Sequence, residues 1–244
     1  MADIRLVIPA RYAATRLPAK PLADIAGVPL IVRTALQAQK SGLVPLVAYD
    51  DDKIAAVLND YNIAGIKTSA ECENGTRRLA EVVEIRNWAD DEVIVNVQGD
   101  EPLLPPELIS QVAENLLSHE KASVATLCTA FVKDEPNNPN SVKVVSDRDG
   151  YALYFSRSKI PYPRDGGDFP FRRHIGIYAY RAGVLREYTK MQATPLEQAE
   201  KLEQLRFLEY GKKISLAEVP KAPPAGVDCE EDRLRVAKIF EELN

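Results

Sequence analysis

Three cations, Arg11, Arg16 and Lys20, follow an apolar run, Leu6-Val7-Ile8, that stops at Pro9. Between them lie the small residues Ala10, Ala13 and Ala14. Such a loop suits a polyphosphate: small side chains let phosphates approach backbone N–H groups, and fixed cations neutralise their charge. Pro9, Pro18 and Pro21 stiffen the loop. The plain alternative is a solvated surface loop. An acid follows a glycine turn in Asn96-Val97-Gln98-Gly99-Asp100-Glu101-Pro102. If that turn ends a buried strand, Asp100 is placed to hold Mg²⁺ against phosphates; otherwise it caps its own backbone. Asp228, in Gly226-Val227-Asp228, reads on its own as a helix cap. It gains chemical meaning only beside Asp100, because Mg²⁺ takes one or two carboxylates plus substrate oxygens.

A second group lies further on: Ser156-Arg157, Arg172-Arg173-His174 and Glu203-Gln204. Arginine and histidine suit an anion, whereas Glu and Gln suit hydroxyls, and a sugar acid carries both. Taken singly, each has a structural reading, as a helix surface or a satisfied histidine. Asn74-Gly75-Thr76-Arg77-Arg78 opens a helix, either as an ordinary cap or as a contact to a base or phosphate through its amides.

These residues need a scaffold that gathers strand ends. Apolar runs predict strands at Ile4–Ile8, Val44–Ala48, Ile63–Thr68 and Glu92–Val97. Helical spacing predicts helices from Pro29 to about Lys40, from an Asp51 or Asp52 cap to about Tyr61, over Gly75–Arg86 and over Pro106–Leu117. That alternation indicates a mostly parallel α/β sheet, whose ligands bind at the carboxyl ends of strands. The second half differs. Ser123–Thr129, Val142–Ser146 and Ala152–Phe155 are strand-like with no long helix between them. Pro161–Pro170 reads as a loop that could close over a site. A strand follows at His174–Tyr180, then a helix at Ala182–Met191. Pro195–Tyr210 reads as one helix with Glu197–Lys201 and Glu200–Gln204 surface pairs. A strand at Ile214–Val219 and a helix at Cys229–Leu243, capped by Asp228, complete the chain. Without a linker-like stretch, residues 1–244 read as one domain, with an inserted β region at about 123–180.

The chain has 244 residues and a net charge of −5, which argues against a general nucleic-acid binder but leaves room for a local basic pocket. No apolar leader and no run of about 18 apolar residues is present, so no secretion or membrane insertion is expected. Three widely spaced cysteines, Cys72, Cys128 and Cys229, fit reduced cytoplasmic thiols, and His119 and His174 are too few for a histidine-rich metal centre.

Taken together, the chain resembles the 3-deoxy-manno-octulosonate cytidylyltransferase family over nearly its whole length. The resemblance rests on the segments Ile8–Leu22, Val95–Pro102, Asn138–Lys143, Tyr151–Arg157, Arg173–Tyr178, Leu202–Arg206 and Gly226–Asp228. It implies a three-layer nucleotidyltransferase fold whose inserted β region takes part in homodimer formation. It implies a reaction of CTP with a 3-deoxy-octulosonic acid, for lipopolysaccharide biosynthesis, with Mg²⁺ as cofactor. Arg11 and Lys20 are expected on the triphosphate and Asp100 and Asp228 on the metal, these four forming the catalytic set. Ala10, Arg16, Asn74, Gly75, Thr76 and Arg78 are expected on the nucleotide side. Gln98, Arg157, Arg164, His174, Tyr178, Glu203 and Gln204 are expected on the sugar acid. Two departures bear on specificity. Ala48-Tyr49-Asp50-Asp51 has Tyr49 where the family usually has Thr, and Arg77 replaces a usual Glu. An 8-amino analogue of the sugar is therefore a second candidate substrate, and sialic acid or another sugar is the alternative outside this group.

Overall fold

The computed structural model describes residues 3–13, 16–131, 135–166 and 169–243. Ala14 and Thr15 of the opening loop lie outside them. The elements in chain order are β1 (Ile4–Ala10), β2 (Asp24–Ile25), β3 (Val28–Pro29), α1 (Leu30–Gln39), β4 (Pro45–Tyr49), α2 (Asp52–Asp60), β5 (Gly65–Lys67), α3 (Gly75–Arg86), β6 (Val93–Asn96) and α4 (Glu107–Ser118). There follow β7 (Val124–Ala130), β8 (Lys143–Ser146), β9 (Ala152–Ser156), β10 (Arg172–Arg181), α5 (Ala182–Tyr188), α6 (Pro195–Glu200), α7 (Gln204–Glu209), β11 (Ile214–Glu218) and α8 (Glu230–Leu243).

The main sheet runs β11-β7-β10-β6-β1-β4-β5, with β8 and β9 attached beside β10. Strands β5, β4, β1 and β6 are parallel, and so are β7 and β11, while β10 runs antiparallel between β6 and β7. From Leu6 onward strand β1 is apolar on both faces because both are covered. Leu6 and Ile8 enter a core with Ile31, Val32, Ile109 and Val112 of α1 and α4. Val7 enters the opposite core with Leu79, Val83, Leu185 and Phe207 of α3, α5 and α7. The expected three-layer, mostly parallel architecture is present.

Strand β1 does not stop at Pro9, as its sequence suggests, but continues to Ala10. Beyond Val7 it pairs only with β4, so a proline without an N–H interrupts no ladder on the β6 side. A larger difference lies at 195–210, where one predicted helix is two. Lys201 takes a left-handed conformation (φ 53°) and ends α6. A buried ion pair, with Arg206 donating two 2.7 Å bonds to Glu197, folds α7 back onto α6. Glu200 turns to β9, accepting from the Ser156 hydroxyl at 2.5 Å and the Arg157 N–H at 2.9 Å. The predicted surface pairs are therefore replaced by tertiary contacts. Asp228 does not cap α8 either. Its backbone N–H donates to Asp232, and its carboxylate faces Lys20.

A third, smaller core joins Leu17, Ile25 and Leu30 to Val227, Val236 and Ala237. It fastens the opening loop to the C-terminal segment. Tyr49 lies apart from it, with its ring over Gly65: a Cβ there would come within 2.9 Å of Tyr49 Cε1 and 3.0 Å of Leu58 Cδ1. The bulk of Tyr49 is thus accommodated by the missing side chain of its β5 neighbour. Gly65→Ala is expected to lower stability by about 1–3 kcal/mol. Less than half of that loss should persist in a Tyr49→Thr background, as measured by urea unfolding. Equal losses in the two backgrounds would show that Tyr49 and Gly65 are uncoupled.

Candidate active site

The carboxyl ends of β1 and β6 open onto a cleft of about 220 Å³ lined by Pro9, Ala10, Arg11, Ala13, Lys20, Pro21, Gln98, Gly99 and Asp100. Lys20 enters it from a short 3₁₀ turn, Lys20–Leu22, set up by Ala19 in a left-handed conformation (φ 50°). Its ammonium donates to Asp100 Oδ2 at 2.5 Å and to Asp228 Oδ1 at 2.9 Å. Arg16 reaches the other oxygen of Asp228 at 3.5 Å. Burial alone would pull the Lys20 pKa down, but the charges and hydrogen bonds of Asp100 and Asp228 outweigh it and hold the ammonium above the ordinary lysine value. The Lys20 contribution to folding is thus complete at neutral pH and is lost only as pH rises through that raised value. Gly226 makes the approach of Asp228 possible. The Val227 N–H donates to the Asp100 carbonyl at 2.8 Å, and a Cβ on Gly226 would stand 2.7 Å from that same oxygen.

A second cavity, of about 310 Å³, adjoins the first across Gln98, which lines both. Thr76, Asn96, Tyr178, Glu203 and Gln204 also face it. The break between α6 and α7 delivers Glu203 and Gln204. Glu203 accepts from the Thr76 hydroxyl at 3.0 Å, and burial raises its pKa. A bulge in β10 between Ile175 and Tyr178 re-aims that strand beside Gly176, which lines the same cavity. Burial raises the Tyr178 phenol, so this group stays protonated. His174 sits in an adjoining recess with Gln98 and Glu101. The Thr126 hydroxyl donates to the Ile177 carbonyl and lies 3.0 Å from His174 Nε2. That network assigns the Nε2–H tautomer and leaves Nδ1 as an acceptor. Burial depresses the His174 pKa to about 3, so it is a neutral hydrogen-bonding group and not the cation that an anion site would suggest.

Several predicted site residues face elsewhere. Arg78, 2% exposed, is committed to Asp50 at 3.0 Å and Thr68 at 2.5 Å. Asn74 caps α3 by accepting from the Arg77 N–H at 2.8 Å, and donates to the Tyr188 hydroxyl. Gly75 and Thr76 line the second cavity and not the first. Arg157 donates to the carbonyls of Glu200, Pro139 and Lys201 and is outside the lining of both cavities. Arg164 is exposed in the loop between β9 and β10. Arg77, the charge reversal, donates to the Thr189 carbonyl at the C-terminal end of α5, where a cation complements the helix dipole and a Glu would be repelled.

Sequence reasoning missed Asn96 and Glu101. Asn96 Oδ1 and Gln204 Nε2 are buried without hydrogen-bond partners among the described residues, and both residues line the second cavity. An Asn at the end of an otherwise apolar strand was the available signal. Glu101 lies beside the two acids. Burial first, then the charges of Asp100 and Asp228, push its carboxyl up to about 8.

A family model described as cytidylyltransferase matches residues 6–214. A relative from Dichelobacter nodosus named 3-deoxy-manno-octulosonate cytidylyltransferase is 61% identical over 240 residues, covering 98% of both chains. The chain belongs to the 3-deoxy-manno-octulosonate cytidylyltransferase family. A second such member, from Vibrio vulnificus strain YJ016, is 50% identical over 96% of this chain and 97% of its own length. A solved CMP:2-keto-3-deoxy-manno-octonic acid synthetase, complexed with CTP, superposes with a TM-score of 0.93 at 38% identity, covering 100% of each chain. A cytidylyltransferase structure from Leptospira borgpetersenii serovar Hardjo-bovis, 12% identical with a TM-score of 0.61, shares the fold.

The Glu101 shift fixes a pH dependence. Its native pKa lies above the unfolded value, so the native state holds the extra proton between about pH 4.5 and 8. Stability contributed by Glu101 should fall as pH rises through that window, by roughly 1 kcal/mol per pH unit. Urea unfolding at pH 5.5 and 7.5 should show this slope in the native protein and a flatter one in Glu101→Gln. An unchanged slope in the variant would mean that Glu101 is ionised throughout.

Proposed function

We propose that the two adjoining cavities hold the two substrates of a cytidylyl transfer, the first taking the triphosphate of CTP and the second a 3-deoxy-octulosonic acid. Cytidylyl transfer to 3-deoxy-manno-octulosonate is the activity of the family to which the chain belongs. The anomeric hydroxyl attacks the α-phosphorus of CTP, a new P–O bond forms, the bond to pyrophosphate breaks, and the hydroxyl proton leaves to solvent. The observation that carries the division of sites is Gln98, shared by both linings, with Asp100 two residues on in the lining of the first.

In this reading Arg11 and Lys20 neutralise the departing pyrophosphate. Asp100 and Asp228 would hold Mg²⁺. Their oxygens already converge on one cation, the Lys20 ammonium, so the donor pair fits a metal that prefers one or two carboxylates. When bound, Mg²⁺ offsets phosphate charge and lowers the pKa of a bound hydroxyl. Asn96 Oδ1 and Gln204 Nε2 supply an acceptor and a donor for sugar hydroxyls, and neutral His174 offers Nδ1. Tyr49 packs on Gly65 and Arg77 on α5, away from both linings, which supports 3-deoxy-manno-octulosonate itself over its 8-amino analogue or sialic acid. Pyrophosphate release with CTP and each of these three acids tests the choice. Turnover confined to one of the latter two would replace the reading.

Residues 1–244 act as one transferase domain, a reading supported by α8 packing back onto Ile25 and Leu30. The inserted region at about 123–180 takes part in a homodimer, supported by Leu153 of β9 at 61% exposure and by Tyr162 at 83% and Phe169 at 44% in the loop before β10. A cytoplasmic location is consistent with three free cysteines and with the absence, among the described residues, of a helix long and apolar enough to cross a membrane.

Three outcomes are expected. Asp100→Ala and Asp228→Ala should each abolish turnover with unfolding midpoints within a few degrees of the parent, and near-normal turnover in either would remove that acid from the site. Lys20→Met should bind Mn²⁺ roughly ten-fold more tightly without nucleotide, followed by electron paramagnetic resonance, because the competing ammonium is gone. Equal affinity would detach the two acids from the metal. Leu153→Glu should shift the sedimentation of a dimer to that of a monomer, and a dimer that survives the change would move the interface elsewhere.

A further inference from the structure

Arg78 and Asp50 form a buried ion pair that no step above uses. Their side chains are 2% and 7% exposed and meet at 3.0 Å. The pair sits where β1 and β4 part. The last register pair of these strands is Ala10 with Tyr49, and Asp50 is the next residue of the β4 chain. Asp50 Oδ2 accepts from Arg78, which α3 presents and Thr68 also holds. Its other oxygen, Oδ1, accepts from the backbone N–H of Tyr12 at 2.9 Å. Tyr12 is held a second time, because Lys53 of α2 donates to its hydroxyl at 3.2 Å and lies 4.8 Å above its ring.

Arg11 is thus flanked by two fixed residues, Ala10 buried at the strand end and Tyr12 tied to Asp50. The Cα–Cβ direction of Arg11 is set by its neighbours, so the backbone part of the cost of ordering Arg11 at binding is met before the ligand arrives and only its side-chain torsions remain to be fixed. We propose that Asp50 is a positioning residue for nucleotide binding. It acts through the Tyr12 N–H on Arg11, and Arg78 acts one step further back by orienting the Asp50 carboxylate. This assignment rests on the reading that Arg11 contacts the CTP triphosphate. It gives Arg78 an indirect role in nucleotide binding in place of direct contact with the base or phosphate.

The test is a set of steady-state measurements and CTP titrations on the full chain. Asp50→Ala is expected to raise KM and Kd for CTP at least ten-fold while leaving KM for the sugar acid within two-fold. Asp50→Asn, which can satisfy only one of the two donors and keeps the volume, should raise them several-fold and serves if the alanine variant does not fold. Thr68→Val is the structural control. It removes a buried bond to Arg78 but leaves Asp50 on Tyr12, so it should lower the unfolding midpoint with KM for CTP within two-fold. In an Arg11→Ala background the Asp50 substitution should add little, because the two act in series. If Arg11→Ala leaves CTP binding unchanged, the assignment of Arg11 to the triphosphate fails. If Arg11→Ala weakens CTP binding but folded Asp50 variants do not, or if Thr68→Val weakens it equally, the positioning role fails and the pair is purely structural.

Discussion

Two carboxylates facing each other at a partly buried point repel, and a cation between them, or a proton on one of them, relieves that repulsion. In this protein that cation is the Lys20 ammonium, held by Asp100 and Asp228 together. The three groups come from distant parts of the chain, and each is brought in by a different device. Lys20 stands at the start of a 3₁₀ turn, Asp100 follows the end of β6, and Asp228 precedes α8. The small apolar cluster of Leu17, Ile25, Leu30, Val227 and Val236 supplies the packing that keeps the first and last of these together. Charge and packing thus support each other: the cluster sets the approach, and the ammonium makes it tolerable.

The second cavity is built on a different logic. It is walled by buried polar atoms that lack partners among the described residues and by phenols that burial keeps neutral, with the neutral imidazole of His174 in the adjoining recess. Such a surface rewards a ligand rich in hydroxyls, because an unmet buried donor or acceptor is costly and a complementary one removes that cost. The bulge in β10 and the break between α6 and α7 are departures from regular structure, and both lie where this cavity needs a side chain turned inward. Among the described residues Gln98 alone belongs to both linings, and it stands at the boundary between a charged cleft and a neutral one.

Much of the scaffold was legible from local pattern. The α3 boundaries followed from Asn74 and helical spacing, and the four parallel strands from apolar runs bounded by turns. Asp100 was legible as an acid at a strand end. The unreadable parts depend on partners far away in sequence. Nothing near Glu197 announces that it will pair with Arg206 and break a helix, and nothing near Arg78 or Arg157 announces that their donors go to Asp50 or to the Glu200 carbonyl. A cationic side chain reads the same whether it meets a phosphate or a buried carbonyl. Arg77 shows the converse: a charge reversal that looks consequential for specificity is satisfied by the end of α5.

The separation of Lys20 from Asp228, 208 residues, bears on how the enzyme comes into being. A contact between residues this far apart closes a very long loop, and the entropy of that closure is offset only once the intervening sheet has drawn the two segments together. A helix such as α3, built from neighbours in sequence, needs no such help. The convergence of Lys20, Asp100 and Asp228 is therefore expected late in folding, after the sheet has formed and with α8 docked on β2.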